Sequence, residues 1–184
     1  MTTVFRAFHT AFPPDHQRVP YDASKHDGFA NKVPPALAAE WREFGFGGYG
    51  NGLLWTTAPD APFLDPDDWP GLDGTGIEVL RSAFADVCIW QGGKFLWLSV
   101  LSGKIHTYSA NPEVVFLSLT KPDFRKTVLL ERLFGIAQKR LGDLSREECY
   151  GFAPLPALGG AIAEQHLTKT SMREYAAMSA QTLR

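Results

Sequence analysis

Two short runs, Val87-Cys88-Ile89-Trp90 and Phe95-Leu96-Trp97-Leu98, are apolar at every position and are joined by Gln91-Gly92-Gly93. A hairpin loop of that kind makes the two runs antiparallel neighbours. An antiparallel strand with one face in water alternates apolar and polar residues, and these do not. The pair must therefore sit centrally in a sheet covered on both faces, and the rest of the chain has to supply two covers. The meander extends to either side, with strands expected over Glu78–Ala83, Asp86–Trp90, Lys94–Leu101 and Lys104–Ser109, the last two joined by Ser102-Gly103.

Helical spacing supplies the covers. Phe5, Phe8 and Phe12 share a face, and so do Leu37, Trp41 and Phe44 in VPPALAAEWREFG, where Pro34 and Pro35 suit a helix start. Beyond Asn111 the pattern is helical again: Glu113–Leu119, then one long helix over Asp123–Leu141. Ser145-Arg146-Glu147-Glu148 and Ser171-Met172-Arg173-Glu174 have the capping-box form, so each is expected to open a helix. Residues 13–32 read as loop, and so does 58–76, with a helical turn near Asp65–Trp69. The fold class is α+β: a mainly antiparallel sheet, built from residues 51–57 and 78–109, flanked by helices from both chain ends. With 184 residues the chain can bury a sizeable core unaided.

The stretch Gly45-Phe46-Gly47-Gly48-Tyr49-Gly50 fits the dinucleotide-binding pattern letter for letter. That pattern works where a strand enters the turn and a helix leaves it, with free N–H groups aimed at phosphate. Here the order is reversed. A helix ends at Phe44 and a strand begins near Leu53, and a helix C-terminus carries partial negative charge. No lysine of a phosphate-binding loop follows. The glycines Gly45, Gly47, Gly48, Gly50 and Gly52 are read instead as a structural helix-to-strand corner, with Phe46 and Tyr49 pinning it.

At this point a resemblance becomes visible. LAAEWREFGFGGYGNGLLW, from Leu37 to Trp55, with Pro59-Asp60 after it, resembles the GAD-like domain of bacterial immunity proteins. FADVCIWQGGKFLWLSVLSGKI, ECYGFAPLPALGG and HLTKTSMREYAAM, in that order, resemble the C-terminal domain that accompanies it in type VI secretion immunity proteins. The resemblance implies two domains, 1–75 GAD-like and 76–184 C-terminal immunity domain packed against it. It also implies a cytoplasmic antitoxin that binds and neutralises a cognate type VI effector, often a DNase, by blocking its active site or DNA groove. Two readings from other classes stay open: a Smi1-type general protein-interaction module, and a nucleotide or small-ligand protein using the glycine loop.

The remaining residues argue against chemistry. The five histidines, His9, His16, His26, His106 and His166, lack metal spacing or a nucleophile signature, so no catalytic residue, metal or cofactor is expected. Cys88 and Cys149 are expected to be buried thiols. The opening MTTVFRAFHTAF lacks the form of a signal peptide, no run approaches a membrane span, and cytoplasmic location is expected. A net charge of −2 gives no general case for nucleic acid or an anionic membrane as partner. Charge is uneven, however. From Asp60 to Asp86 there are seven acids and one base, whereas from Lys121 to Arg146 there are seven bases and three acids. A DNase presents a positive groove to phosphate. The candidate toxin-binding residues are therefore Asp60, Asp65, Asp67 and Asp68, with Trp69, in a polar loop, expected to be partly exposed and to hold the partner.

Overall fold

Successive residues of the central hairpin go to opposite covers. Cys88 and Trp97 pair across the two strands and join one core, and Trp90 pairs with Phe95 on that same face. Val87 with Leu98, and Ile89 with Leu96, join a second core. The expectation drawn from the unbroken apolar runs holds.

The computed structural model describes residues 5–182 and, within them, all side chains but those of 16 and 17. It begins with α1 (Arg6–Ala11), β1 (Pro14–Val19), α2 (Ala23–Ala30) and α3 (Pro35–Phe44). Then come β2 (Phe46–Tyr49), β3 (Leu54–Thr56), β4 (Ile77–Ser82), β5 (Val87–Gln91), β6 (Lys94–Leu98) and β7 (Ile105–Thr107). The C-terminal part holds α4 (Pro112–Leu119), α5 (Pro122–Thr127), α6 (Glu131–Leu141), β8 (Glu148–Phe152), β9 (Leu167–Ser171) and α7 (Met172–Thr182). The first seven strands form one sheet in sequence order, each antiparallel to its neighbours. The last two form a separate hairpin. β3 pairs with β4, so the main sheet passes the expected 75/76 boundary without a break.

The first core collects Phe8 of α1 and Phe12 at its C-cap, Leu37 and Trp41 of α3, Phe116 of α4 and Phe134 of α6, together with Tyr150 and Phe152 of β8. Phe8 packs edge-on against Phe116 with ring centres 5.0 Å apart, which ties the first helix to one from the other half of the chain. The second core sets Met172, Tyr175 and Ala176 of α7, with Phe63, Leu64 and Trp69 of the long loop, against the opposite sheet face. Helices from both chain ends thus flank the sheet, as the sequence indicates.

Four local expectations are corrected. Residues 13–32 contain β1 and α2 rather than only loop. β1 escapes periodicity because it is an edge strand whose Arg18 has a structural task. The strand expected near Leu53 is β3, but a further strand, β2, precedes it within the glycine stretch. The long helix over Asp123–Leu141 is two helices, α5 and α6, because Leu130 adopts the left-handed conformation at φ 50°. Ser145–Glu148 opens no helix. Half of the capping pattern forms, with Ser145 N–H donating to Glu148 Oε2 at 2.8 Å, but burial of Cys149, Tyr150 and Phe152 draws the chain into β8. The second capping box does open α7, where Glu174 N–H reaches Ser171 Oγ at 3.4 Å.

Candidate functional site

The glycine corner is organised around a cation from its own chain. Arg18 of β1 donates through Nε to the Phe44 carbonyl at 2.6 Å and through Nη1 to the Gly48 carbonyl at 2.7 Å. Its Nη2 reaches the Tyr49 hydroxyl at 2.9 Å and the Gly45 carbonyl at 3.3 Å. The Tyr49 hydroxyl in turn donates to Glu40, whose Oε1 also lies 2.7 Å from His9 Nε2. Burial and the neighbouring Glu40 carboxylate raise the Tyr49 phenol far above its ordinary value. The guanidinium donors are taken up by acceptors of the same chain, and the helix end beside them is a C-terminus, which disfavours an anion and argues against a nucleotide cradle. Gly45 caps α3 at φ 63°, and a Cβ there would overlap the Val19 carbonyl oxygen. Gly47 and Gly48 are strand residues of β2, and the Thr56 hydroxyl accepts the Gly47 N–H at 2.9 Å. Gly50 and Gly52 lie in the turn 50–53 that leads to β3.

The acidic loop is held from beneath. Glu78 of β4 is buried and accepts the Phe63 N–H at 3.0 Å and the Leu64 N–H at 2.7 Å. Burial pushes its carboxyl above the usual range, although those two donors pull the other way. The Phe63 ring faces two guanidinium groups, Arg81 at 5.3 Å and Arg173 at 5.5 Å. Arg81 is fully buried, which lowers it to about 10, so it keeps its charge at neutral pH. It donates to the Arg146 carbonyl at 2.6 Å, joining the sheet to the approach of β8.

Above that base, Pro66–Asp68 form a single 3-10 turn capped by Asp65, whose carboxylate accepts the Asp67 N–H at 3.1 Å. Asp65 and Asp67 are exposed and Asp68 is half-buried, so these three acids share one short surface turn. Asp60 does not join them. It lies 3.2 Å from Nε2 of His26 on α2. The expected exposure of Trp69 is corrected: only 3 % of its surface is accessible. The turn points the ring inward, and the second core needs a large side chain opposite Tyr175 and Ala176. A cleft of about 450 Å³ opens at the surface where this turn meets α7, lined by Phe63, Asp65, Asp68, Trp69, Arg173 and Ala177 among others.

Among the described residues no group of three or more His, Cys, Asp or Glu could hold a metal ion, and no helix is long and apolar enough to cross a membrane. His9 and His26 are buried in hydrogen-bonded positions, His106 is exposed on β7, and Nδ1 of His166 lies 3.1 Å from the Ala153 carbonyl. The side chain of His16 lies outside those described. Cys88 and Cys149 are buried free thiols, each pushed by burial up to about 12.

One surface feature is missing from the sequence reading. Ala153 to Ala163, the first part of the connection from β8 to β9, contains no charged or hydrogen-bonding side chain, and Glu164, Gln165 and His166 complete it. It carries the most exposed large apolar residue described, Leu158 at 66 %, with Ile162 at 48 %. The absence of any polar side chain over so long a stretch was the available signal.

Two family models match the chain. Residues 3–64 match the GAD-like domain, and residues 110–182 match the C-terminal domain of the type VI secretion (T6SS) immunity protein Tdi1. The chain belongs to the type VI secretion immunity proteins that join these two domains. Residues 65–109, which contain β4 to β7 of the main sheet, fall to neither match. The crystal structure of Atu4351 from Agrobacterium tumefaciens is similar at a TM-score of 0.77 and 16 % identity, covering 96 % of this chain and 88 % of that one. At that identity the likeness speaks for the fold. No curated protein matches the sequence.

Proposed function

We propose that the chain binds one cognate type VI effector carrying a nuclease domain and neutralises it in the cytoplasm of the producing cell, by covering its active site or DNA groove and without chemistry of its own. The observation that carries this reading is the pair of immunity-family segments in one chain, the first supplying β1 to β3 of the main sheet and the second following its last strand. The nuclease assignment draws support from the turn Asp65–Asp68, a concentration of carboxylates suited to a surface built for phosphate. Charge of this kind speeds encounter and selects partners more than it holds them. We place the two units on either side of residue 75, acting together through their shared sheet.

Co-expression with the protein encoded by the adjoining gene tests the reading. The expected result is a stoichiometric complex whose DNA-cleaving activity is abolished by this chain and returns when the chain is removed. A neighbour that neither binds nor cleaves DNA would overturn it.

A further inference from the structure

We propose that the uncharged turn around Leu158, with Ile162, is the apolar anchor by which the chain seats on its effector, and that the acidic turn Asp65–Asp68 supplies the matching charge for a basic partner surface. The inference rests on the immunity reading above and names the surface that performs it.

Four observations lead here. First, Leu158 and Ile162 are exposed within a loop that has no polar side chain from Ala153 to Ala163. An exposed apolar cluster costs solubility and marks an interaction site where charged residues rim it. Second, the turn is built, not slack. Leu158 N–H and Gly160 N–H both donate to the Leu155 carbonyl, at 2.9 and 3.0 Å, and Gly159 N–H donates to the Pro156 carbonyl at 3.0 Å. Gly160 comes so close to the Pro154 carbonyl that a Cβ would overlap it. Leu155, half-buried, packs against the second core and roots the loop. A surface already ordered in this way loses little entropy when a partner covers it.

Third, the turn Pro156–Leu158 and the acidic turn Pro66–Asp68 both pack on α7. That helix exposes Met178, at 45 %, and one charge of each sign, Arg173 and Glu174. The turn that carries Leu158 and the turn that carries the carboxylates are therefore set on one helix, beside the exposed Met178. An apolar centre with an acidic border fits a partner whose surface is basic around an apolar recess, and the excess of acid commits the occupant to a cationic protein such as a nuclease. Fourth, Trp69, the aromatic of the acidic loop, is buried, so the exposed hold must come from another side chain.

The test uses the full chain and the protein encoded by the adjoining gene. Three variants are titrated against it: Leu158→Ala, the double variant Leu158→Asp with Ile162→Asp, and the triple Asp65→Asn, Asp67→Asn, Asp68→Asn. Affinity should fall about tenfold for the first and more than a hundredfold for the second, mainly through faster dissociation, with melting temperatures close to wild type because both side chains are exposed. The triple variant should associate more slowly and lose most of its dependence on salt. Wild type that binds while the folded double variant binds equally well overturns the docking surface alone. Wild type that fails to bind overturns the immunity reading and this surface with it.

Discussion

The Arg18 guanidinium donates to the Phe44 carbonyl at 2.6 Å, so an edge strand near the start of the chain closes the C-terminus of α3. The same side chain reaches the Gly45 and Gly48 carbonyls and the Tyr49 hydroxyl. A planar fork with five donors can satisfy such an array, and an ammonium cannot.

Arg18→Lys is therefore expected to behave much like Arg18→Ala. Each should cost about 2–3 kcal/mol, because acceptors at the corner lose their charged donor. Urea denaturation measures this. A lysine variant as stable as wild type would show that the corner needs only a positive charge.

Gly45 and Gly92 separate two causes of glycine use. Both have positive φ, 63° and 58°. A Cβ at Gly45 meets the Val19 backbone, whereas a Cβ at Gly92 meets nothing within 4 Å. Gly92→Ala should cost about 1 kcal/mol, the strain of a left-handed residue. Gly45→Ala should exceed about 3 kcal/mol, since strain is joined by a backbone clash that no rotamer relieves. Equal losses in the two variants would mean that the close approach of β1 to the corner contributes nothing.

The central architecture is legible in the sequence because its cause is local. Runs such as Val87–Trp90 and Phe95–Leu98 have only one placement that hides both faces, and the structure adopts it. What escaped reading depends on partners distant in sequence. β1 has no apolar alternation and is defined by Arg18 reaching residues 44–49. The capping signal at Ser145 is overruled by the burial of Tyr150 and Phe152 in the first core. Trp69 looks exposed among Asp67, Asp68 and Pro70, since nothing nearby announces that α7 lies beneath it. The acidic turn itself was legible, as exposed carboxylates need no tertiary partner to be recognised.

Burial of Trp69 predicts how its removal will read. Trp69→Ala opens a cavity in the second core and should cost about 3–5 kcal/mol. Leu158→Ala, at an exposed site, should change stability by no more than about 0.5 kcal/mol. Thermal melts of the two free variants make the comparison. A Trp69→Ala protein as stable as wild type would contradict the inward placement of the ring.

Asp86 predicts a pH dependence of folding. Its carboxylate is buried and accepts the Val100 N–H at 3.0 Å and the Trp97 indole N–H at 3.3 Å. Burial outweighs these donors and raises the group from 3.8 to about 7. The native state thus holds this proton more tightly than the unfolded chain does. Its contribution to stability is full below the unfolded value, falls as pH rises between the two values, and is lost above about 7. The slope over that window is at most about 1.4 kcal/mol per pH unit. Asp86→Asn keeps an acceptor for the Val100 N–H but cannot ionise. Relative to wild type it should gain stability between pH 5 and pH 8, as measured by urea midpoints at each pH. A wild type and variant that shift in parallel over that range would show that Asp86 titrates at its ordinary value despite its burial.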